Sequence, residues 1–126
     1  MIERRILLER LEEILEALER IPDRLQDISK PEDFLATKAG RSNLDAICMV
    51  LLAVGEAFKA IDKRTEGAFL IQYPEIPWKK IFGLRNLLAH TYFDVDEAQI
   101  FNTCHHDIPE LVTTVQKMIQ DSQDQD

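Results

Sequence analysis

Hydrophobic residues recur every three or four positions along most of this chain, which is the spacing of one face of an α-helix. The first such face comprises Leu7, Leu11, Ile14, Leu18, Ile21, Leu25 and Ile28. The second comprises Leu44, Ile47, Leu51, Val54, Phe58 and Ile61, and the last comprises Phe101, Cys104, Ile108, Leu111, Val115 and Met118. A third helix between them carries Leu84, Leu87 and Leu88 on one side. The pattern predicts an all-α fold, an antiparallel up-down four-helix bundle with short extra helices.

The boundaries of the first two helices are predicted from proline and from capping residues. Pro22 is expected to kink or divide the first helix, because proline removes a backbone donor and clashes with the preceding turn. Ser42, with Asp45 three positions later, is interpreted as a capping box that opens the second helix after a connector at 38–40. Gly55 within that helix would permit a close approach by a neighbouring helix.

The second half of the chain has similar markers. Pro77 is expected in the first turn of the third helix, which should end at about 90–92. The acidic residues 94–97 are interpreted as a turn and a cap. The last helix is then predicted to run to about Asp121, with a bend at Pro109.

The longest irregular stretch is expected at 62–76. Its apolar side chains are too numerous for a free loop, so it should lie across one end of the bundle; they are Phe69, Leu70, Ile71, Tyr73 and Ile76. The length of the chain suits one domain, which we predict over 1–120, followed by a frayed acidic tail over 121–126.

The charge of the chain argues against a general nucleic-acid-binding surface. Fifteen Lys and Arg residues face 23 Asp and Glu residues, which gives a net charge of −8. Residues 59–90 are the exception, because six basic groups outnumber three acidic ones and leave this segment at +3. Lys79 and Lys80 lie in this segment and are candidate RNA-binding residues.

The chain carries no sign of a membrane or secreted protein. No apolar run reaches 18 residues, so no transmembrane helix is expected, and the charged N-terminus lacks the apolar segment of a signal peptide. Cys48 and Cys104 have no C-x-x-C spacing and are interpreted as buried, reduced thiols. A cytoplasmic location is the resulting expectation.

The segment from Arg85 to Tyr92 carries polar residues that a helical core does not need. With Arg85 at zero on a helix, Asn86 falls near 100°, His90 near 140° and Tyr92 within about 20° of Arg85. The leucines of the segment fall on the opposite side, toward the core. Ala89 lies in the middle of the polar face and leaves room for a ligand.

Arginine and histidine in one site suit phosphoryl transfer. Arginine binds phosphate through parallel hydrogen bonds and stabilises developing charge, and histidine can move the proton of a ribose hydroxyl. On a single helix, however, Arg85 and His90 diverge by about 140°. Two copies related by a two-fold axis would place two arginines and two histidines around one cleft, so the geometry favours a homodimer.

The same residues carry a resemblance to a known family. Arg85, Asn86, His90 and Tyr92 match the Arg-x-x-x-x-His-x-Tyr motif of HEPN-domain toxins of the HepT group. The flanks are also similar, at 73–81, at 92–96, at 52–57 and at 107–111, and the resemblance covers most of 3–120.

This resemblance implies a function for each residue of the motif. It implies a metal-independent endoribonuclease without cofactors, in which the ribose 2′-hydroxyl attacks the adjacent phosphate with Arg85 and His90 as catalytic residues and Asn86 in support. RNA, with tRNA as the expected class, would be the substrate. The partner would be a minimal nucleotidyltransferase (MNT) antitoxin of a type VII toxin–antitoxin system, which transfers AMP onto Tyr92 and silences the nuclease.

Other interpretations of these residues remain open. The chain could be a catalytically inert HEPN module that serves as the binding subunit of a nucleotidyltransferase, since a fold can outlive its activity. His90 with Asp94, Asp96 and Glu97 suggests a metal site, although those carboxylates are better explained as a turn and a helix cap. Trp78 is interpreted as a packing anchor rather than a base-stacking platform.

Overall fold

The computed structural model describes residues 2–124, and within that range its regular structure is helical throughout. The α-helices are α1 (Arg4–Leu18), α2 (Ile21–Arg24), α3 (Asp33–Ala36), α4 (Lys38–Arg64), α5 (Trp78–His90), α6 (Glu97–Asn102) and α7 (Ile108–Gln123). Short 3₁₀ turns occupy Leu70–Gln72 and Tyr92–Asp94, and a π-helical turn, Thr103–Asp107, joins α6 to α7. The all-α helical bundle is therefore confirmed.

The long helix α4 organises the bundle. It has 27 residues and packs against α1, α3 and α5, while α1 also packs along α7. The hydrophobic faces read from the sequence meet in one core, whose most buried side chains include Leu11, Leu18, Phe34, Ile47, Phe58, Ile61, Ile100, Val115 and Met118. Removing this apolar surface from water supplies the main favourable contribution to folding.

The start of α4 was predicted wrongly. The helix begins at Lys38 rather than near Ser42, so the segment 38–40 is its first turn and not a connector. Thr37 is the cap, and its hydroxyl accepts a hydrogen bond of 2.9 Å from the backbone N–H of Gly40. Gly40 is required there because a Cβ would lie 2.4 Å from the carbonyl oxygen of Asp33. The cap at Thr37, and not the predicted capping box at Ser42, therefore marks the start of α4.

Two other predicted helix boundaries agree with the structure. The first helix ends at Leu18, and Pro22 lies in the first turn of the separate helix α2, so the division is confirmed. Asp96 caps α6, and its carboxylate accepts from the N–H of Ala98 at 2.9 Å. Pro109 lies in the first turn of α7, directly after the π-helical turn that divides the predicted last helix into α6 and α7.

The segment after α4 closes one end of the bundle. Phe69, Leu70, Tyr73 and Ile76 are buried as expected, whereas Ile71 is 75% exposed. The Tyr73 hydroxyl donates a 2.9 Å hydrogen bond to Asp121, which lies inside α7. Helix α7 continues to Gln123, so residues 121–123 are helical and not part of a frayed tail, and residues 125 and 126 lie outside the described range. No helix within residues 2–124 has the length and apolar content needed to cross a bilayer.

Candidate functional site

Helix α5 is fixed to the bundle at its first turn. The Trp78 ring packs edge-on against Phe58 with ring centroids 4.9 Å apart, and its indole N–H donates to the Tyr73 carbonyl at 3.0 Å. Trp78 is therefore the packing anchor that the sequence suggested. Leu84 and Leu88 are buried, while Leu87 is only partly buried. Because Leu87 also packs against the core, the core-facing side of α5 is confirmed for all three leucines.

Gly55 allows α5 to lie directly on α4 at Arg85. A Cβ at Gly55 would fall 2.7 Å from the Cβ of Arg85 and 3.0 Å from its Cγ, both closer than ordinary packing allows. The close approach predicted for Gly55 is confirmed, and its partner is a residue of the motif. The consequence is that the stem of Arg85 is held between two helices.

The guanidinium of Arg85 has two protein partners. Its Nε donates to the carboxylate of Glu56, the residue after Gly55, and its Nη1 donates to Asn86 Oδ1 at 2.7 Å. The Arg85 side chain is 16% exposed. The arginine therefore does not stand free on an open polar face, as the helical projection suggested, but is oriented by two neighbours. Asn86 supports Arg85 directly rather than His90.

His90 stands apart from this group. It is exposed at the last residue of α5, and five residues of helix separate it from Arg85, a rise of about 7.5 Å. The structure therefore joins Arg85 to Asn86 within one subunit but does not bring Arg85 and His90 together. Their divergence agrees with the projection made from the sequence.

Four exposed residues of α5 lie on one face of the helix. Lys79, Gly83, Asn86 and His90 are all exposed and are spaced by four, three and four residues, so they form one stripe along the helix. At Gly83 a Cβ would meet no atom within 4 Å, which leaves the middle of the stripe open. We call these four residues the α5 stripe.

The two candidate RNA-binding lysines lie on different faces of α5. Lys79 belongs to the α5 stripe. Lys80 instead forms an ion pair with Asp107, with 2.7 Å between Nζ and Oδ2, and lines a small cavity of about 30 Å³ together with Leu84 and Thr103. Lys80 is therefore engaged away from Asn86 and His90.

Tyr92 lies beyond the end of α5, contrary to the helical projection. Thr91 leaves the helical conformation, with φ −139° and ψ 51°, and Tyr92 begins a 3₁₀ turn. Its hydroxyl reaches back to α4 and donates a hydrogen bond to Asp45. Asp45 and Glu56 are eleven residues apart on α4, or roughly 16 Å. The Tyr92 hydroxyl is thus well separated from Arg85 in one subunit, and the expected 20° proximity is wrong.

The surroundings of Tyr92 change its acidity. Burial, the hydrogen bond to Asp45 and the nearby thiol of Cys48 all raise the pKa of the Tyr92 hydroxyl well above its usual range. Burial also raises the pKa of the Cys48 thiol to about 11, so it remains protonated at neutral pH. Cys48 and Cys104 are both free and buried, which confirms the structural part of their interpretation.

An open pocket lies beside the Tyr92 hydroxyl. It measures about 350 Å³ and is lined by Asp45, Cys48, Met49, Leu52, Leu88 and Tyr92. We call it the tyrosine pocket. The neighbouring Phe93 is fully exposed, and Met49 is 64% exposed, so this end of the molecule presents apolar side chains to solvent.

The candidate metal-binding side chains do not lie close together. Among residues 2–124 no three His, Cys, Asp or Glu side chains come together in a way that could hold a metal ion, and this includes His90 with the acidic turn after it. His105 instead packs its ring on Phe101, with centroids 4.3 Å apart.

Two residues of the site could not be recognised from the sequence. Glu56 orients Arg85, and Asp45 accepts the hydrogen bond of Tyr92. Both are exposed acids on a long amphipathic helix, where such residues are usually solvated. The only local signal for Glu56 is that it follows Gly55.

Comparison with known proteins identifies the family. The model of the HepT-like ribonuclease family matches residues 14–118. The chain is 36% identical over 108 residues to "Probable ribonuclease HepT" of Thermococcus cleftensis, covering 86% of this chain and 91% of that protein. It is 35% identical over 114 residues to "Putative RNase TTE0752" of Caldanaerobacter subterraneus subsp. tengcongensis, covering 87% and 91%. No solved structure matches the chain. The chain belongs to the HepT-like ribonuclease family.

Proposed function

We propose that this protein is the toxin of a type VII toxin–antitoxin system, an endoribonuclease whose site contains Arg85, Asn86 and His90. The observation that carries the proposal is the arrangement of Arg85, whose guanidinium is held by Glu56 and Asn86. An arginine oriented in advance loses little freedom when it binds a phosphate. Membership of a ribonuclease family agrees with this chemistry.

The proposed reaction needs only these side chains. His90 accepts the proton of a ribose 2′-hydroxyl as that oxygen attacks the adjacent phosphorus, and the bond to the 5′-oxygen of the next nucleotide breaks. Arg85 stabilises the charge that develops on the non-bridging phosphate oxygens. Two of its nitrogens already hold protein partners, so Nη2 is the nitrogen that would face the phosphate.

The separation of Arg85 from His90 supports a homodimer. Because one subunit does not join the two side chains, a complete site needs the second copy, as the projection from the sequence suggested. The exposed apolar residues near the motif, Met49 and Phe93, provide a surface for that contact.

Replacing Phe93 tests the dimer. Phe93→Asp should convert the dimer to a monomer and abolish RNA cleavage without loss of stability, because the side chain is fully exposed in the isolated subunit. Ile71→Asp is the matched control, since Ile71 is 75% exposed in the turn after α4. Sedimentation equilibrium and a cleavage assay provide the readouts. A monomeric wild-type protein that cleaves RNA would contradict the composite site.

The α5 stripe is the path that we propose for the RNA backbone. Single-stranded nucleic acids follow grooves that combine positive charge with open surface, and the stripe leads from Lys79 past the bare Gly83 to His90. It lies in the one segment of the chain with a net positive charge.

Adjacent lysines provide a direct test of this path. Lys79→Ala should weaken RNA binding and lower the slope of log affinity against log salt by about 0.7, the loss of one phosphate contact. Lys80→Ala removes the same charge from the next residue, but its amine is paired with Asp107 on another face, so binding should not change. Fluorescence anisotropy of a labelled single-stranded RNA at several salt concentrations measures both. Equal losses of RNA affinity in the two variants would indicate general electrostatic attraction of RNA and not a defined path along α5.

We also propose that Tyr92 accepts AMP from a nucleotidyltransferase antitoxin, which uses ATP and magnesium. The hydroxyl of Tyr92 lies at the open tyrosine pocket, two residues from His90. An attached AMP adds bulk and negative charge at the His90 end of the site, where it would repel an RNA phosphate. The protein partner and tRNA as the substrate class rest on the resemblance alone.

A further inference from the structure

The Tyr92 hydroxyl is both reachable and held in place. It donates to the carboxylate of Asp45, which projects from α4 on the same face as Cys48, Met49 and Leu52, at spacings of three, four and seven residues. These residues line the tyrosine pocket, which opens to solvent, and Tyr92 itself is 40% exposed. An electrophile in the pocket can therefore approach the hydroxyl while Asp45 still contacts it.

The Tyr92 hydroxyl still needs a base before it can react as a nucleophile. The raised pKa of Tyr92 means that the hydroxyl carries its proton at neutral pH. A neutral phenol is a weak nucleophile, and an adjacent base that takes its proton during attack is the usual means of activation. Asp45 is the carboxylate that already accepts this proton's hydrogen bond.

We propose that Asp45 is the general base that activates Tyr92 for nucleotidyl transfer, so that the toxin itself supplies the base for its own modification. The inference rests on the proposed role of Tyr92 as AMP acceptor. In the step, the tyrosine oxygen attacks the α-phosphorus of ATP and forms a new O–P bond. The bond from that phosphorus to the pyrophosphate oxygen breaks, pyrophosphate leaves, and the phenolic proton passes to Asp45.

The second tyrosine shows why the pocket matters. Tyr73 also donates to an aspartate, Asp121, at 2.9 Å, but its side chain is only 2% exposed. A carboxylate partner alone therefore does not make a tyrosine reactive, because the electrophile must also reach the oxygen. Of the chain's two tyrosines, Tyr92 alone has both an acceptor and an open pocket beside its oxygen.

A partner-free experiment tests the base directly. A small fluorophosphonate reacts with tyrosine by the same type of step: the O–P bond forms, the P–F bond breaks, fluoride leaves and the proton passes to the base. Asp45→Asn keeps an oxygen that can accept the hydrogen bond but cannot take the proton. We expect labelling of Tyr92 at pH 7, followed by peptide mass spectrometry, to fall by at least about 100-fold. Asp94→Asn, which removes the same charge two residues from Tyr92, should leave the rate unchanged.

The pH dependence of the labelling rate distinguishes a general base from a residue that only makes a structural contact. With the carboxylate present, labelling should be nearly independent of pH between about 6 and 8. In Asp45→Asn the remaining rate should rise about tenfold per pH unit, because only the phenolate then reacts. Equal rates for wild type and Asp45→Asn at pH 7 would overturn the proposal. If circular dichroism shows that Asp45→Asn is unfolded, Asp45→Glu is the deciding variant. Its retained carboxylate should keep the flat pH profile of labelling, and a steep pH profile would overturn the proposal.

A second measurement separates this inference from the function on which it rests. Wild-type protein and the Asp45→Asn and Asp94→Asn variants are incubated with ATP, magnesium and a minimal nucleotidyltransferase of the class proposed as the antitoxin. We expect Asp45→Asn to take up AMP at least about 100-fold more slowly through kcat, with KM for the toxin unchanged. Modification of Asp45→Asn at the wild-type kcat would overturn the role of Asp45 and leave the acceptor intact. Wild-type protein that gains no AMP would overturn the acceptor, whatever the fluorophosphonate shows.

Discussion

His90→Ala is expected to lower the rate of RNA cleavage by about 100- to 10,000-fold, the range in which a lost general base acts. The melting temperature should stay near that of the wild type, because His90 is exposed at the end of α5 and its truncation opens no cavity in the core. His106→Ala is the matched control, an exposed histidine in the π-helical turn before α7. Its cleavage rate should equal that of the wild type.

The readout is initial cleavage velocity on total tRNA, with the cut ends sequenced, and thermal unfolding of the same samples. Full activity in His90→Ala would contradict the proposed mechanism. Wild-type protein that cleaves no RNA but binds a nucleotidyltransferase would instead support the inert binding module. Adding a chelator should leave the rate unchanged, because the proposed reaction uses no metal ion.

Tyr92→Phe is expected to escape silencing completely. The substitution keeps the ring beside Phe93, with centroids 6.4 Å apart in the wild type, and removes the oxygen that would receive AMP. The lost hydrogen bond to Asp45 should cost about 1 kcal/mol of stability, since the pair is exposed to water. With the nucleotidyltransferase and ATP, wild-type protein should gain the mass of one or more AMP groups and stop cleaving RNA, whereas the variant should do neither.

Intact-mass and peptide mass spectrometry decide this result, together with growth of cells that express both proteins. Tyr73 provides an internal control, because the buried tyrosine should remain unmodified in every sample. AMP on a residue other than Tyr92 would show that the acceptor was assigned wrongly. Silencing of Tyr92→Phe by an active nucleotidyltransferase would do the same.

The periodicity of hydrophobic residues predicts which side of a helix is buried, but not which residues the other side contacts. Leu84 and Leu88 are buried as predicted, because the spacing of hydrophobic residues directly reflects burial. The partners of the motif depend on long-range packing: Glu56 lies 29 residues from Arg85, and Asp45 lies 47 residues from Tyr92. Apart from the position of Glu56 after Gly55, nothing in the local sequence marks either acid as a partner.

Helix ends account for the other differences. The projection of Tyr92 next to Arg85 assumed that α5 continues, whereas the helix ends at His90 and Tyr92 turns toward Asp45. Likewise, Ser42 and Asp45 fit a capping box, yet Thr37 caps α4 and Gly40 lies against α3. In each case a local sequence pattern is compatible with more than one helix boundary.

The pairing of α1 with α7 has a consequence for synthesis on the ribosome. Leu11 and Leu18 of α1 are buried together with Val115 and Met118 of α7, near the opposite end of the chain. Translation proceeds at about 5–20 residues per second, so α1 waits several seconds for its partner after it is made. Once translation has passed Tyr92, the nascent chain contains the entire motif but still lacks the helix that completes its core. Stable folding should therefore wait until α7 has been made, and a message truncated before α7 should yield a chain for proteolysis rather than a nuclease.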